Sequence, residues 1–124
     1  MRMRMMAAVP KATVIITNPT HYAVALQYER GMNAPICLAK GGDSIALRIR
    51  EVAKHEIPLV ENPPLARALH ATVELDEEIP AEQYKAVAEV IGYIMRLQQA
   101  VRRSSESNRG LSKLDLDVHV TRPG

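Results

Sequence analysis

Two short apolar runs stand close together near the start of the chain. Ala12 to Thr17 (ATVIIT) is rich in β-branched residues, and Ala23 to Tyr28 (AVALQY) is a second apolar run. Asn18-Pro19-Thr20-His21 separates them, a turn signal that predicts a hairpin-like reversal. Gly31 to Pro35 breaks the chain again, and Ile36 to Ala39 (ICLA) reads as a buried strand. Gly41-Gly42 then opens a helix, with Asp43 or Ser44 expected at the N-cap. In that helix Ile45, Ile49, Val52 and Ala53 share a face, while Arg48, Glu51 and Lys54 fall elsewhere. Pro58 ends it, and Leu59-Val60 is a brief fourth strand. Strand 36–39, helix 44–55 and strand 58–61 predict a βαβ unit, crossing over right-handed between parallel strands.

Asn62-Pro63-Pro64 is an N-cap followed by proline at the first helical position, launching a short helix to about Ala71. A longer helix is expected from Pro80, with Glu82 at the positive end of its dipole. Its apolar stripe is Tyr84, Val87, Ala88, Ile91 and Met95, and it should run to about Val101. The first eight residues (MRMRMMAA) have good helix propensity and look like the end of a longer helix. From Arg102 onward periodicity is lost, which predicts a mobile tail. The pattern as a whole predicts an α/β fold: a small mixed sheet of about four strands flanked by helices. The Asn-Pro-Thr-His segment then lies in the turn between the first two strands.

Composition narrows the class. The chain has 124 residues, 47% hydrophobic and 24% charged, which suits one ordinary globular domain. A domain of this size buries about two-thirds of its unfolded surface and needs no disulfide or metal to fold. Cys37 is the single cysteine, so a reducing compartment is the simpler reading. No apolar run approaches the roughly 18–20 residues needed to span a bilayer. The net charge of +2 does not argue for nucleic acid. Its distribution says more: Arg2, Arg4 and Lys11 precede the first strand, and Arg102, Arg103 and Arg109 follow the last helix. Between them Glu74, Asp76, Glu77, Glu78 and Glu82 read as solvated surface. Two basic flanks also suit a position beside anionic lipid headgroups.

The four histidines and Cys37 are scattered, with no pair at metal-ligand spacing, so no metal or cofactor is expected. Lys40-Gly41-Gly42-Asp43-Ser44 resembles a phosphate cradle, because a helix N-terminus presents free N–H groups. It fits neither the dinucleotide-binding nor the P-loop glycine pattern. Asn18-Pro19 differs for a chemical reason. Proline has no N–H, so the usual deamidation route, attack by the following amide on the Asn side chain, is closed. What remains is attack by the Asn18 side-chain nitrogen on its own main-chain carbonyl, closing a succinimide and expelling Pro19 as a new N-terminus. A tight turn that holds those atoms together accelerates such a reaction through effective molarity. His21 has the pKa to assist proton movement, and Thr20 would hydrogen-bond or shape the turn.

The longer string VIITNPTHYAVAL, Val14 to Leu26, resembles the cytoplasmic domain of the FlhB/YscU family, the export-switch proteins of type III secretion. The likeness continues through Ala34-Pro35, Ala39 to Gly41, Ile45 to Glu51, Val60 to Leu69 and Glu78 to Ile94. Tyr22 and the PPLARAL string are more similar to the flagellar branch than to its injectisome relatives. The resemblance implies a membrane part preceding this sequence, with residues 1–11 the end of a linker helix. Residues 12–101 are then the cytoplasmic domain, on the inner-membrane face, while the loss of periodicity, and not the resemblance, makes 102–124 a disordered tail.

It further implies single-turnover self-cleavage between Asn18 and Pro19, with Thr20 and His21 as motif neighbours. The two pieces would stay associated, and export would switch from rod and hook to filament subunits. Implied partners are other export-apparatus components, exported flagellar subunits and a hook-length control protein, with no nucleic acid. Ala34, Pro35, Ala88 and Ile91 are expected to form a shallow apolar patch for a short export signal. A different reading is a small α/β ligand- or phosphate-binding enzyme using the Gly41-Gly42 turn. A third is a stand-alone soluble relative of the family.

Overall fold

Val14, Ile15 and Ile16 leave no polar alternation, as a strand covered on both faces requires. They form β1 (Val14–Asn18), buried along all but its last residue. The computed structural model describes residues 2–19 and 21–121. β2 (Tyr22–Gln27) returns antiparallel to β1, from Asn18 opposite Tyr22 to Val14 opposite Leu26. β3 (Ile36–Gly42) pairs antiparallel with β2 on its far side. β4 (Leu59–Glu61) pairs parallel with β1. The result is the expected four-stranded mixed sheet, in the order β3-β2-β1-β4.

β3 and β4 point the same way, as a crossover through α2 (Asp43–Ala53) demands, yet they lie at opposite edges with β2 and β1 between them. The outer edge of β3 is taken by another segment. Cys37 N–H donates to Glu77 O at 3.0 Å, Asp76 N–H to Cys37 O at 2.7 Å, and Ile79 N–H to Pro35 O at 2.9 Å. The acidic connection after α3 (Pro63–Thr72) therefore covers an edge that would otherwise be free to pair.

On one face of the sheet Ile15, Ala23, Ala25 and Ala39 share a buried cluster with Ala46, Ile49 and Ala53 of α2. The alanines leave room for the helix to approach closely. Val9 and Ala12 join this cluster, and Met5 and Met6 of α1 (Arg2–Ala8) pack against it. Alternation leaves Ile16, Val24 and Leu26 for the other face, and α3, whose Leu65, Ala66 and Leu69 are buried, packs against β1 and β2.

Helix boundaries differ from expectation in instructive places. Gly42, in extended backbone, caps α2 instead of Asp43 or Ser44, because β3 runs on through both glycines. Asp43 becomes the first helical residue and takes φ +47°. Asn62 caps α3 as expected, its side chain accepting from Leu65 N–H at 3.3 Å.

Pro80 stays extended, so a 3₁₀ turn (Ala81–Gln83) precedes α4 (Tyr84–Thr121). That helix was expected to stop near Val101, with a mobile tail from Arg102. No proline interrupts residues 84–121, and Arg102 to Glu106, all exposed, continue the helix without an apolar stripe. Residues 102–121 are accordingly helical, and residues 122–124 lie outside the described ones. Within α4, Val87, Val90 and Ile91 are buried, whereas Tyr84, Ala88 and Met95 are exposed. The core takes the larger Val90 in preference to Ala88. The chain forms one compact unit through Ile91 and a second from Gly92. Among the described residues no helix is long and apolar enough to cross a membrane.

Candidate functional site

The β1–β2 hairpin reverses between Asn18 and Tyr22. Asn18 is the last residue of β1, opposite Tyr22, and its carbonyl accepts the His21 N–H at 2.9 Å. An i to i+3 bond of this kind defines a β-turn, and proline at its second position is pre-set in φ. Pro19 is half-buried and His21 exposed; Thr20 lies outside the described residues. The hairpin's loop also leans on α2. Asp43 N–H donates to His21 O at 3.0 Å, and the Arg50 guanidinium donates through Nη1 to the carbonyl of Pro19.

Close approach explains Gly41 and Gly42. A Cβ at Gly42 would lie 3.1 Å from His21 O, and one at Gly41 would lie 2.2 Å from Ile45 Cγ2. Both glycines are paired strand residues, opposite Tyr22 and Ala23. The first amide of α2 is already committed to His21 O. The phosphate-cradle reading of this junction therefore loses its footing: close packing accounts for the glycines.

Chemically, the Asn18 carbonyl is the point of interest. Attack by the Asn18 side-chain nitrogen on its own carbonyl carbon would place negative charge on that oxygen. A backbone donor already directed at it lowers the cost of that charge without reorganisation. Around the exposed His21, ring partners are loose: its centroid is 6.2 Å from that of Tyr22, tilted by 51°. Tyr22 itself stacks on His70, at 4.3 Å and 24°. Lys40 Nζ donates to the carbonyls of His70 and Val73, at 3.2 and 2.7 Å, satisfying the end of α3. Burial and then the Lys40 charge hold the His70 imidazole below its usual pKa.

The structure thus brings Asn18, Pro19 and His21 into one turn. The docking residues fare differently: Ala34 and Ile91 are core side chains, Pro35 is half-buried, and only Ala88 is exposed. Arg50 was not singled out from the sequence as a site residue, and Asp43 only within the phosphate-cradle reading. Their roles arise from α2 packing beneath the hairpin, for which neither residue carries a local signal. Among the described residues no group of three His, Cys, Asp or Glu is placed to hold a metal ion.

Residues 1–94 match the family described as FlhB HrpN YscU SpaS. The chain belongs to this family. Against the flagellar biosynthetic protein FlhB of Bacillus subtilis it is 55% identical over 100 residues, covering 79% of this chain and 28% of that protein. The FlhB of Yersinia enterocolitica is 60% identical over 100 residues, covering 79% of this chain and 26% of its own length. The chain therefore spans only about a quarter of these FlhB HrpN YscU SpaS members. The crystal structure of the cytoplasmic domain of FlhB from Shewanella putrefaciens superposes with a TM-score of 0.77 at 46% identity, over 82% of this chain and 80% of that one. The α/β fold with a four-stranded mixed sheet that the sequence pattern predicts is the fold observed.

Proposed function

We propose that this chain is the cytoplasmic domain of a flagellar type III export protein that cuts itself once, between Asn18 and Pro19. The observation that supports this most is the Asn18 carbonyl held by the His21 amide in the turn that closes the hairpin. In the proposed reaction Asn18 Nδ2 bonds to the Asn18 carbonyl carbon, the carbon–nitrogen bond to Pro19 breaks, and the proton lost from Nδ2 ends on the proline nitrogen. The imidazole of His21 assists that proton transfer, and Thr20 shapes the turn. No cofactor enters the balance, and the event is a single turnover.

The cut participates in switching export from rod and hook to filament subunits, at the cytoplasmic face of the inner membrane. The partners in this reading are other export-apparatus components, exported flagellar subunits and a hook-length control protein. Denaturing intact mass of the fresh protein and of Asn18→Ala tests the chemistry. Pieces of 18 and 106 residues, the smaller passing through a form one water lighter, are expected only for the parent chain. A single uncut mass that persists on storage would remove the cleavage reading.

A further inference from the structure

We propose that Arg50 is a positioning residue for the Asn18–Pro19 cleavage: its guanidinium, reaching up from α2, holds the leaving side of the bond. The inference rests on the self-cleavage proposed above. The backbone of Asn18 is already fixed, because it sits in the β1–β2 ladder opposite Tyr22. Pro19 has no N–H, and its carbonyl lies in a loop outside the ladder, so nothing in the sheet orients it. Arg50 supplies the missing partner from 31 residues away.

The setting favours this role. Arg50 is half-buried and lines, with Pro19, Ala46 and Leu47, a surface cavity of about 300 Å³. Among the described residues no carboxylate forms an ion pair with it, so its charge is available to the Pro19 carbonyl. A charged donor makes a stronger bond than a neutral one. Beside it, Asp43 N–H holds His21 O at 3.0 Å from a residue at φ +47°. The loop is thereby fastened to α2 at its first and its last residue. With both sides anchored, the backbone of the scissile bond is held, which is the entropic part of catalysis by position, and the search left is that of the Asn18 side chain.

The test follows cleavage after a pulse of cell-free synthesis, by denaturing mass, for the parent, Arg50→Met and Arg50→Lys. Folding is judged separately, by melting the same substitutions in the uncut Asn18→Ala chain. Arg50→Met is expected to slow the first-order cut on the order of 10- to 100-fold, with little change in melting. Arg50→Lys should recover part of the rate. Added methylguanidinium, small enough for the cavity, should accelerate Arg50→Met and leave the parent unaffected. Cleavage of Arg50→Met at the parental rate would overturn the proposal. So would a slowed cut that tracks lost stability and answers to neither lysine nor methylguanidinium. If Arg50→Met does not fold, Arg50→Gln, which keeps a donor without the charge, makes the same comparison. An uncut parent chain would instead defeat the cleavage reading, and this inference with it.

Discussion

The phenol ring of Tyr22 lies on the imidazole of His70, 4.3 Å between centroids, and so ties the residue after the turn to the end of α3. Burial and the nearby Lys40 charge lower the His70 pKa from its ordinary 6.5. The unfolded chain therefore binds this proton more readily than the folded one. The His70 contribution is intact above about pH 6.5 and is lost as the pH falls from there through the lowered folded value. In the uncut Asn18→Ala chain, His70→Phe keeps the stack and removes the titration. Melting against pH should fall less steeply below neutrality in that variant; identical curves would show that His70 is indifferent to the fold.

Cys37 offers a reading of the β3 edge. Burial pushes its thiol up to about 11 from 9.0, against the opposing pull of Lys40. That alone lowers the thiolate fraction at neutral pH about a hundredfold. A maleimide should label the native protein at least that much more slowly than the urea-unfolded one. Equal rates would mean that the segment over Cys37 opens freely.

Gly41→Ala should cost about 1–3 kcal/mol in urea unfolding of the uncut chain, the usual penalty for overpacking. Ile45→Ala is not expected to rescue it, because the new Cβ at Gly41 would still lie 2.6 Å from the Cβ of Ile45. Full rescue would place the conflict at the branch of Ile45 and not at its Cβ.

Asn62→Ala removes the side-chain oxygen that accepts Leu65 N–H, while its own backbone N–H still donates to Thr17 O at 2.9 Å. A loss of about 1 kcal/mol, largely restored by Asn62→Asp, is expected for such a cap. Equal losses for Ala and Asp would locate the role of Asn62 in its backbone alone.

What was legible in the sequence was local. The β-branched run of β1, the Asn62-Pro63 start of α3 and the special chemistry of Asn18-Pro19 each follow from residues a few places apart. The place of β4 beside β1 did not, nor did the cover of the β3 edge by residues 76–79, because both join segments far apart in the chain. Nor did the orientation of α4: Val87 and Ile91 can share a buried face with Ala88 on one side or with Val90 on the other, and only packing selects between them. Arg50 escaped notice for the same reason. Its partner is 31 residues away, and the meeting depends on how α2 lies under the hairpin.

β1 is an inner strand, with β2 on one side and β4 on the other. A chain severed after Asn18 would end in the middle of its own sheet, so the protein would become a two-component complex without changing shape. Mass action then applies where it did not before. The melting temperature of the cut protein should rise with concentration, that of Asn18→Ala should not, and a peptide of residues 1–18 should exchange only as fast as the sheet opens.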